Sequence, residues 1–203
     1  MSIFKLKSCP YCAEETSNSY ACHECFKELK TLCNFKIGKT KDCFFITAPF
    51  IYKDLVRDAI LDFKFNEKIY FCKSFAAFMA ACKLPKFDLL VAVPTYEKKR
   101  NSSKEIAIHL KKHIKIKFIK KAVIKIKKTK AQHNCDYFNR LTNLKGAFKI
   151  NEKKAKFLVG KNILICDDII TTSTTVQEMA NVLKKAGANK VGAISFAVSE
   201  KLF

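Results

Sequence analysis

The 203-residue sequence contains little arginine, and it contains no apolar run long enough to cross a bilayer. Arginine occurs three times, at Arg57, Arg100 and Arg140, whereas lysine supplies the other 36 of the 39 basic residues. Arginine is the usual donor for bidentate contacts with bases and phosphates, so its scarcity argues against sequence-specific reading of nucleic acid. The first residues also lack the apolar stretch of a secretory signal. We therefore expect a cytoplasmic protein that is not integral to the membrane, with peripheral contact at its inner face left open.

Lysine dominates what is present, and the formal net charge is +21. Such a charge predicts attraction to nucleic acid, to anionic membrane surfaces or to phosphorylated ligands. Fourteen basic residues and one acidic residue, Glu105, fall between positions 98 and 130. One interpretation is a solvated face in a lysine-biased sequence. The other is a groove for the phosphates of single-stranded DNA, with contacts at Lys98, Lys99, Arg100 and Lys104.

Four of the ten cysteines predict a structural zinc site. Cys9, Cys12, Cys22 and Cys25 form two Cys-x2-Cys pairs separated by nine residues, which is long enough for the chain to fold back and complete a tetrahedron. His23 is an alternative ligand, although four thiolates already close the site. Without an export signal, paired cysteines more often bind metal than form disulfides. We expect a zinc finger over residues 1–35 and an α/β domain over 36–203.

The stretch from residue 163 to 176 has the strongest chemical character. Ile163 to Cys166 are apolar and predict a strand buried on both faces, while apolar residues at helical spacing follow from Val176. Between them lie an acidic pair, Asp167 and Asp168, and five consecutive Ser or Thr residues, 171–175. A helix N-terminus with hydroxyl groups suits an oxyanion, and carboxylates suit sugar hydroxyls or a cation that accompanies the ligand. The alternative is a simple helix cap after an acidic turn.

The remaining pattern predicts an α/β domain. Apolar stripes predict helices within 55–63 and 71–82, and Phe87 to Val93 predicts a second buried strand. Ser102 to Glu105 fits a capping box that opens a helix to about residue 112, and lysine-alternating strands follow near 114–118 and 124–126. The helix after the hydroxyl loop should end at Gly187, before a buried strand over 191–198.

Residues 163–176 resemble the phosphoribosyl-pyrophosphate (PRPP) motif of type I phosphoribosyltransferases. The resemblance implies a type I phosphoribosyltransferase-like, mostly parallel sheet flanked by helices, beside the small N-terminal zinc ribbon. It also implies that Asp167 and Asp168 hold the ribose hydroxyls and that Mg2+ arrives with PRPP. The 5′-phosphate would bind the loop, and the pyrophosphate would bind the loop after Val93, which includes Thr95. The loop residues are Thr171, Thr172, Ser173, Thr174 and Thr175. The family usually has glycine where this chain has Ser173, a residue less suited to a positive φ.

Over its length the chain resembles the ComF family of competence-associated proteins. The resemblance rests on the four cysteines, on Phe63-Lys64-Phe65, on Val91-Ala92-Val93-Pro94 and on a signature between residues 128 and 148 that ends in Gly146-Ala147-Phe148. It implies a role in natural transformation, handling incoming single-stranded DNA together with other competence proteins. The chain departs from the family after the Val-Pro strand, where Arg100-Asn101-Ser102-Ser103-Lys104 replaces an Arg-Gly-Phe-Asn-Gln element.

Three functions remain open at this point. The first is a competence protein that binds PRPP or a related ribose phosphate, and the second is a non-catalytic DNA-binding adaptor that has kept the fold. The third is a phosphoribosyltransferase of nucleotide salvage. If the chain is an enzyme, it would displace pyrophosphate at the anomeric carbon, but the sequence identifies no general base, so the catalytic residues and the acceptor are unknown.

Overall fold

The computed structural model describes residues 7–17, 20–34, 36–66, 68–96, 100–128 and 144–200. Their centre is a parallel six-stranded sheet with helices on both faces. This architecture confirms the predicted α/β fold with a mostly parallel sheet. Within these residues, no helix is both long enough and apolar enough to span a bilayer.

The strands of the main sheet are β3 Phe45–Thr47, β4 Phe50–Ile51, β5 Leu89–Ala92, β6 Lys117–Phe118, β9 Asn162–Ile170 and β10 Lys190–Val198. They lie in the order β3, β10, β9, β5, β6, and β4 also pairs with β10. Every pairing is parallel, so the carboxyl ends of β5 and β9 meet at one edge of the sheet. Two antiparallel pairs stand apart: β1 Lys7–Ser8 with β2 Glu15–Thr16, and β7 Val123–Lys125 with β8 Phe148–Ile150.

The helices are α1 His23–Thr31, α2 Asp54–Phe65, α3 Phe71–Ala80, α4 Ser102–Ile114, α5 Glu152–Ala155 and α6 Thr174–Lys185. The predicted helices at 55–63, at 71–82 and after the hydroxyl loop are confirmed. Helix α6 also stops where expected, because Gly187 takes a φ of 89°, a conformation that glycine adopts without a Cβ clash. The predicted cap of α4 by Ser102 is wrong, since Asn101 is the N-cap and its side-chain oxygen accepts from the Lys104 N–H.

Strand β9 is buried on both faces because its alternate residues enter two separate cores. Leu164 and Cys166 belong to the core packed under α2, α3 and α4. Ile163 and Ile165 belong to the core under α6 and the β7–β8 pair. A continuous apolar run is therefore the pattern that this central parallel strand requires.

The N-terminal segment packs onto the same core as α3. Leu29 of α1 is fully buried in that cluster together with Phe75 and Phe196, whose rings stack 3.8 Å apart. The Tyr11 hydroxyl lies 2.9 Å from Ser74 Oγ, and the Tyr11 ring meets Phe71 edge-on at 5.3 Å. The cysteine-bearing segment and the sheet thus share one hydrophobic core. The proposed boundary between residues 35 and 36 stays a prediction.

Candidate functional site

The acidic pair lies inside β9 rather than after it. The strand continues through Asp167 and Asp168 to Ile170, so the hydroxyl loop begins directly at the strand end. Cys166 and Ile169 both contact the core under α2 and α4. In a regular strand, residues three apart point to opposite faces of the sheet, so the side-chain alternation of β9 shifts by one residue across the acidic pair. This shift lets both carboxyl groups bond to helices on the same side of the sheet.

Each carboxyl group is held by a different helix. Asp167 Oδ1 accepts a hydrogen bond from Ser103 Oγ of α4 at 2.7 Å and another from the Asp168 N–H at 3.0 Å. Asp168 Oδ1 forms an ion pair with Lys64 Nζ of α2 at 2.8 Å. Ser103 and Asp168 are themselves buried. The pair is therefore fixed in position before any ligand binds, which reduces the ordering cost of binding.

The two carboxyl groups differ in their electrostatic surroundings. Burial, together with the neighbouring charge of Asp168, raises the pKa of Asp167 to about 7, against the opposing effects of the Ser103 bond and of Lys64. Burial favours the neutral form of Lys64, but the Asp168 carboxylate outweighs it and raises the pKa of that ammonium group. The site thus holds a charged Lys64–Asp168 pair beside a carboxyl group that titrates near neutral pH.

The hydroxyl loop forms a small concavity at the N-terminus of α6. A cavity of about 30 Å³ is lined by Asp167, by Ile169 and Val176, and by loop residues. The loop residues in its wall are Thr171, Thr172, Ser173 and Thr175. Thr174 is buried, and its hydroxyl lies 3.1 Å from Thr172 Oγ1. Most of the predicted phosphate-binding residues therefore surround one point next to the acidic pair, and Thr174 instead ties the loop together.

Ser173 adopts a backbone conformation that favours glycine. Its φ is 52° and its ψ is −5°, in the left-handed region that glycine enters freely. A residue with a Cβ atom loses roughly 1 kcal/mol in this conformation. Ser173 thus carries local backbone strain at the start of α6.

A second, larger cavity adjoins the carboxyl end of β5. Its volume is about 410 Å³, and Thr95 and Lys104 lie in its wall. Lys121, Lys125, Tyr96 and Phe118 also line it. Burial lowers the pKa of Lys125, and the Asp167 charge partly opposes this shift, so the cavity is electrostatically linked to the acidic pair. Sequence patterns gave no indication of Lys121 and Lys125 beyond the general abundance of lysine in this region.

The predicted DNA-contacting residues have different surroundings. Lys98 and Lys99 lie outside the described residues. Lys104 is exposed at the wall of the larger cavity. Arg100 turns toward the protein: its Nη1 donates to the Phe63 carbonyl at 2.8 Å, and its guanidinium covers the Phe63 ring at 4.5 Å. Its Nε and Nη2 are buried and have no hydrogen-bond partner among the described residues. This position does not favour contact between Arg100 and DNA.

The four predicted metal-ligating cysteines come together. The Sγ atoms of Cys9, Cys12, Cys22 and Cys25 all lie within 4.8 Å of one another, with 3.6 Å between those of Cys12 and Cys22. A tetrahedral Zn2+ with bonds of about 2.3 Å needs sulfur–sulfur distances of roughly 3.8 Å. Burial works against the Cys9 thiolate, but backbone N–H groups, including that of Cys22, outweigh it and lower the pKa of Cys9 to about 7. The donor set therefore fits a metal such as zinc.

The carboxylates suit a sugar better than a directly bound Mg2+. Carboxylate oxygens are ligands that Mg2+ accepts, but Lys64 already neutralises Asp168. A divalent cation at the same carboxylate would meet the Lys64 ammonium at close range. The arrangement fits hydroxyl donors at the acidic pair, with Mg2+ carried by the phosphates of a ligand.

Comparison with known proteins first defines the class of domain. Residues 103–201 match the family model described as the phosphoribosyl transferase domain, and they include Ser103, the acidic pair and the hydroxyl loop. Adenine phosphoribosyltransferase from Thermoanaerobacter pseudethanolicus aligns over 85% of this chain and 98% of its own, with 17% identity and a TM-score of 0.41. The domain match and the parallel sheet establish that the chain carries a phosphoribosyltransferase-like domain.

The curated relatives that the chain matches are named for DNA utilization and competence. The chain is 29% identical over 109 residues to the DNA utilization protein YhgH of Escherichia coli K12, covering 51% of this chain and 46% of the relative. It is 27% identical over 114 residues to competence protein F of Haemophilus influenzae, covering 54% and 48%. The chain thus spans about half the length of the curated relatives it matches. These matches, with the cysteine cluster, confirm the resemblance to the ComF family.

Proposed function

We propose that the edge formed by β5 and β9 binds PRPP or a related ribose phosphate, and that the protein acts on single-stranded DNA during natural transformation. The observation that carries the ribose-phosphate part is the placement of Asp167 against the wall of the loop concavity. Carboxylates that accept hydrogen bonds from sugar hydroxyls lie next to the N-terminus of α6, which suits a phosphate. Together they suit a ribose and its 5′-phosphate. The DNA part draws on the relatives, which are named for DNA utilization and competence.

In this proposal each group has a defined task. Asp167 and Asp168 accept hydrogen bonds from the ribose hydroxyls, and Lys64 holds the Asp168 carboxylate in place through their ion pair. The loop from 171 to 175 donates N–H and hydroxyl groups to the 5′-phosphate. Thr95 and the lysines of the larger cavity receive the pyrophosphate, which carries Mg2+. Zn2+ in the four-cysteine site serves the fold, since four thiolates leave no open position for chemistry.

If the site turns over, the chain contributes positioning and charge rather than a nucleophile. Displacement of pyrophosphate leaves negative charge on the departing oxygens, and Lys104, Lys121 and Lys125 surround the cavity that would receive it. A non-catalytic adaptor would use the same groups for binding alone. A salvage enzyme remains the third candidate, and it requires base-dependent consumption of PRPP.

Calorimetric titration tests the ligand directly. Wild type should bind PRPP in the presence of Mg2+, and Asp167→Asn should bind roughly 10- to 100-fold more weakly, since a hydrogen bond to a charged acceptor is worth about 1.5–3 kcal/mol. Asp88→Asn is the matched control: this exposed carboxylate accepts the Asn162 N–H at the opposite edge of the sheet, and its loss should leave PRPP affinity unchanged. Absence of heat with wild type would remove the ribose-phosphate proposal.

A turnover assay separates the three functions. Release of pyrophosphate from PRPP should be followed with each nucleobase in turn, with single-stranded DNA and with neither. Consumption that depends on one free base supports salvage, whereas binding without any consumption supports the adaptor.

A further inference from the structure

An exposed phenylalanine ring surrounded by lysines lies at the amino ends of the parallel strands, opposite the edge that carries the acidic pair. Phe157 is 41% exposed. The ammonium groups of Lys117, Lys154 and Lys156 lie 5.7, 5.9 and 5.5 Å from the centroid of its ring. Lys154 and Lys156 are near Phe157 in the chain, whereas Lys117 belongs to β6, so the fold adds a cation from a distant element to this ring.

Two cavities meet at this ring, with volumes of about 330 and 460 Å³, and both are lined by Lys117 and Phe157. Lys120 and Lys154 line the first, and Lys156 and Lys161 line the second. We call these five lysines and Phe157 the Phe157 surface.

The Phe157 surface lies away from the acidic pair, although the first of its two cavities shares Phe118 with the larger cavity beside β5. Its walls are built from the first residues of β5 and β6 and from the segment that leads into β9. Asp167 lies five residues into β9, counted from Asn162, which is roughly 17 Å at 3.3 Å per residue. A ligand on the Phe157 surface is therefore outside contact with the acidic pair.

The charges on this surface are poorly balanced. Asp88 is the acidic residue in its walls, and its Oδ2 already accepts the Asn162 N–H at 2.8 Å. Five ammonium groups within one surface repel one another, and the exposed part of the Phe157 ring gains no energy from burial. Both costs fall when a polyanion with planar apolar groups binds, because its phosphates pair with the lysines and its bases cover the ring.

We propose that the Phe157 surface binds single-stranded nucleic acid, with a base stacked on Phe157 and backbone phosphates on the surrounding lysines. An aromatic platform in a basic groove is the combination that binds single strands without sequence preference. The scarcity of arginine agrees with this mode, since stacking and diffuse charge need no bidentate donors. The identity of the strand as DNA rests on the proposed function, whereas the location and chemistry of the site do not.

Fluorescence anisotropy with a labelled oligothymidylate tests the platform. Phe157→Ala should weaken binding roughly 5- to 100-fold, the loss expected for one stacked base. An abasic strand of the same length keeps the phosphates and lacks the bases, so its affinity should be the same for wild type and for Phe157→Ala. Phe157→Tyr retains a ring and should bind like wild type. Equal oligothymidylate affinity of wild type and Phe157→Ala would overturn the proposal.

Salt dependence tests the lysines. The combined change of Lys117, Lys154 and Lys156 to Ala should reduce the slope of log affinity against log salt by about 2, at roughly 0.7 per phosphate contact. Lys39, Lys41 and Lys185, which are exposed and line neither cavity, provide the matched triple variant. An equal reduction in both triple variants would show general charge rather than a site, and would overturn the proposal.

Two further arms separate the alternatives. If Phe157→Ala loses binding to anionic phosphatidylglycerol vesicles while its affinity for the oligonucleotide is unchanged, the surface contacts membrane and the proposal fails. PRPP calorimetry on Phe157→Ala should match wild type, and Asp167→Asn should keep oligonucleotide binding. PRPP binding in a protein that binds no oligonucleotide would overturn this inference and leave the ribose-phosphate site intact.

Discussion

Replacement of Asp167 by Asn should make the free protein more stable at neutral pH while weakening its ligand site. The pKa of Asp167 is about 7 in the folded chain against a usual 3.8, so the folded state keeps a proton that the unfolded state releases between these values. The wild-type protein therefore loses stability as pH rises from about 4 to about 7. The amide that Asp167→Asn introduces cannot ionise, and its oxygen can accept the same bonds from Ser103 and from the Asp168 N–H.

The magnitude follows from the shift. A change of about 3 pKa units at 1.36 kcal/mol each gives a difference of about 4 kcal/mol, which is an upper bound because the site can relax and admit water. The difference in unfolding free energy between Asp167→Asn and wild type should be small at pH 4, grow through pH 7 and level off above it. Other titrating groups cancel in this difference.

Chemical denaturation of both proteins at half-unit pH steps from 4 to 8.5 measures the effect. Asp168→Asn is the matched control, and it should be less stable than wild type because it leaves the Lys64 ammonium partly buried without its partner. A difference that does not change with pH, or an Asp167→Asn protein less stable than wild type at pH 8, would refute the reasoning.

Three other predictions concern the loop, the sheet and the metal site. Ser173→Gly should raise the unfolding free energy by up to about 1 kcal/mol, because it relieves the φ of 52°, although glycine also gains freedom on unfolding. A Ser173→Val protein as stable as wild type would contradict this. Gly192→Ala should cost about 1–3 kcal/mol in thermal unfolding, because its Cβ would lie 2.5 Å from Phe87 Cζ, and Phe87→Leu in the same chain should recover part of the loss. Cys22→Ser should reduce bound zinc well below one atom per chain by elemental analysis and lower the melting temperature, whereas Cys43→Ser should keep the metal.

The helices and strands whose apolar periodicity reflects burial could be predicted from the sequence. The run from Ile163 to Cys166 predicted β9 because both of its faces enter cores, and Gly187 predicted the end of α6 because of its positive φ. The cysteine spacing predicted a cluster because two knuckles fold back on each other. In each case the physical cause is local, or repeats along the chain.

The side chains that bond to Asp167 and Asp168 could not be predicted from local sequence patterns. The sequence pattern places Ser103 in a helix cap, yet Asn101 caps α4 and the Ser103 hydroxyl reaches Asp167, 64 residues away. In the sequence Lys64 stands out only as part of the Phe63-Lys64-Phe65 pattern, and its contact with Asp168 depends on how α2 packs on the sheet. Arg100 illustrates the same limit, because its contact with Phe63 turns it from the surface to the interior. Such contacts follow from packing angles, which local patterns do not contain.

The shared core of the N-terminal segment and α3 has a consequence for unfolding. The Ser74 hydroxyl lies against Tyr11 and donates to the Tyr20 carbonyl, so one residue of α3 holds two points of the cysteine-bearing segment. Leu29 and Phe75 lie in the same cluster as the rings under β10. We therefore expect the cysteine-bearing segment and the parallel sheet to unfold together. If the four cysteines hold zinc, a chelator should lower the melting temperature of the whole domain and not only loosen its N-terminal segment.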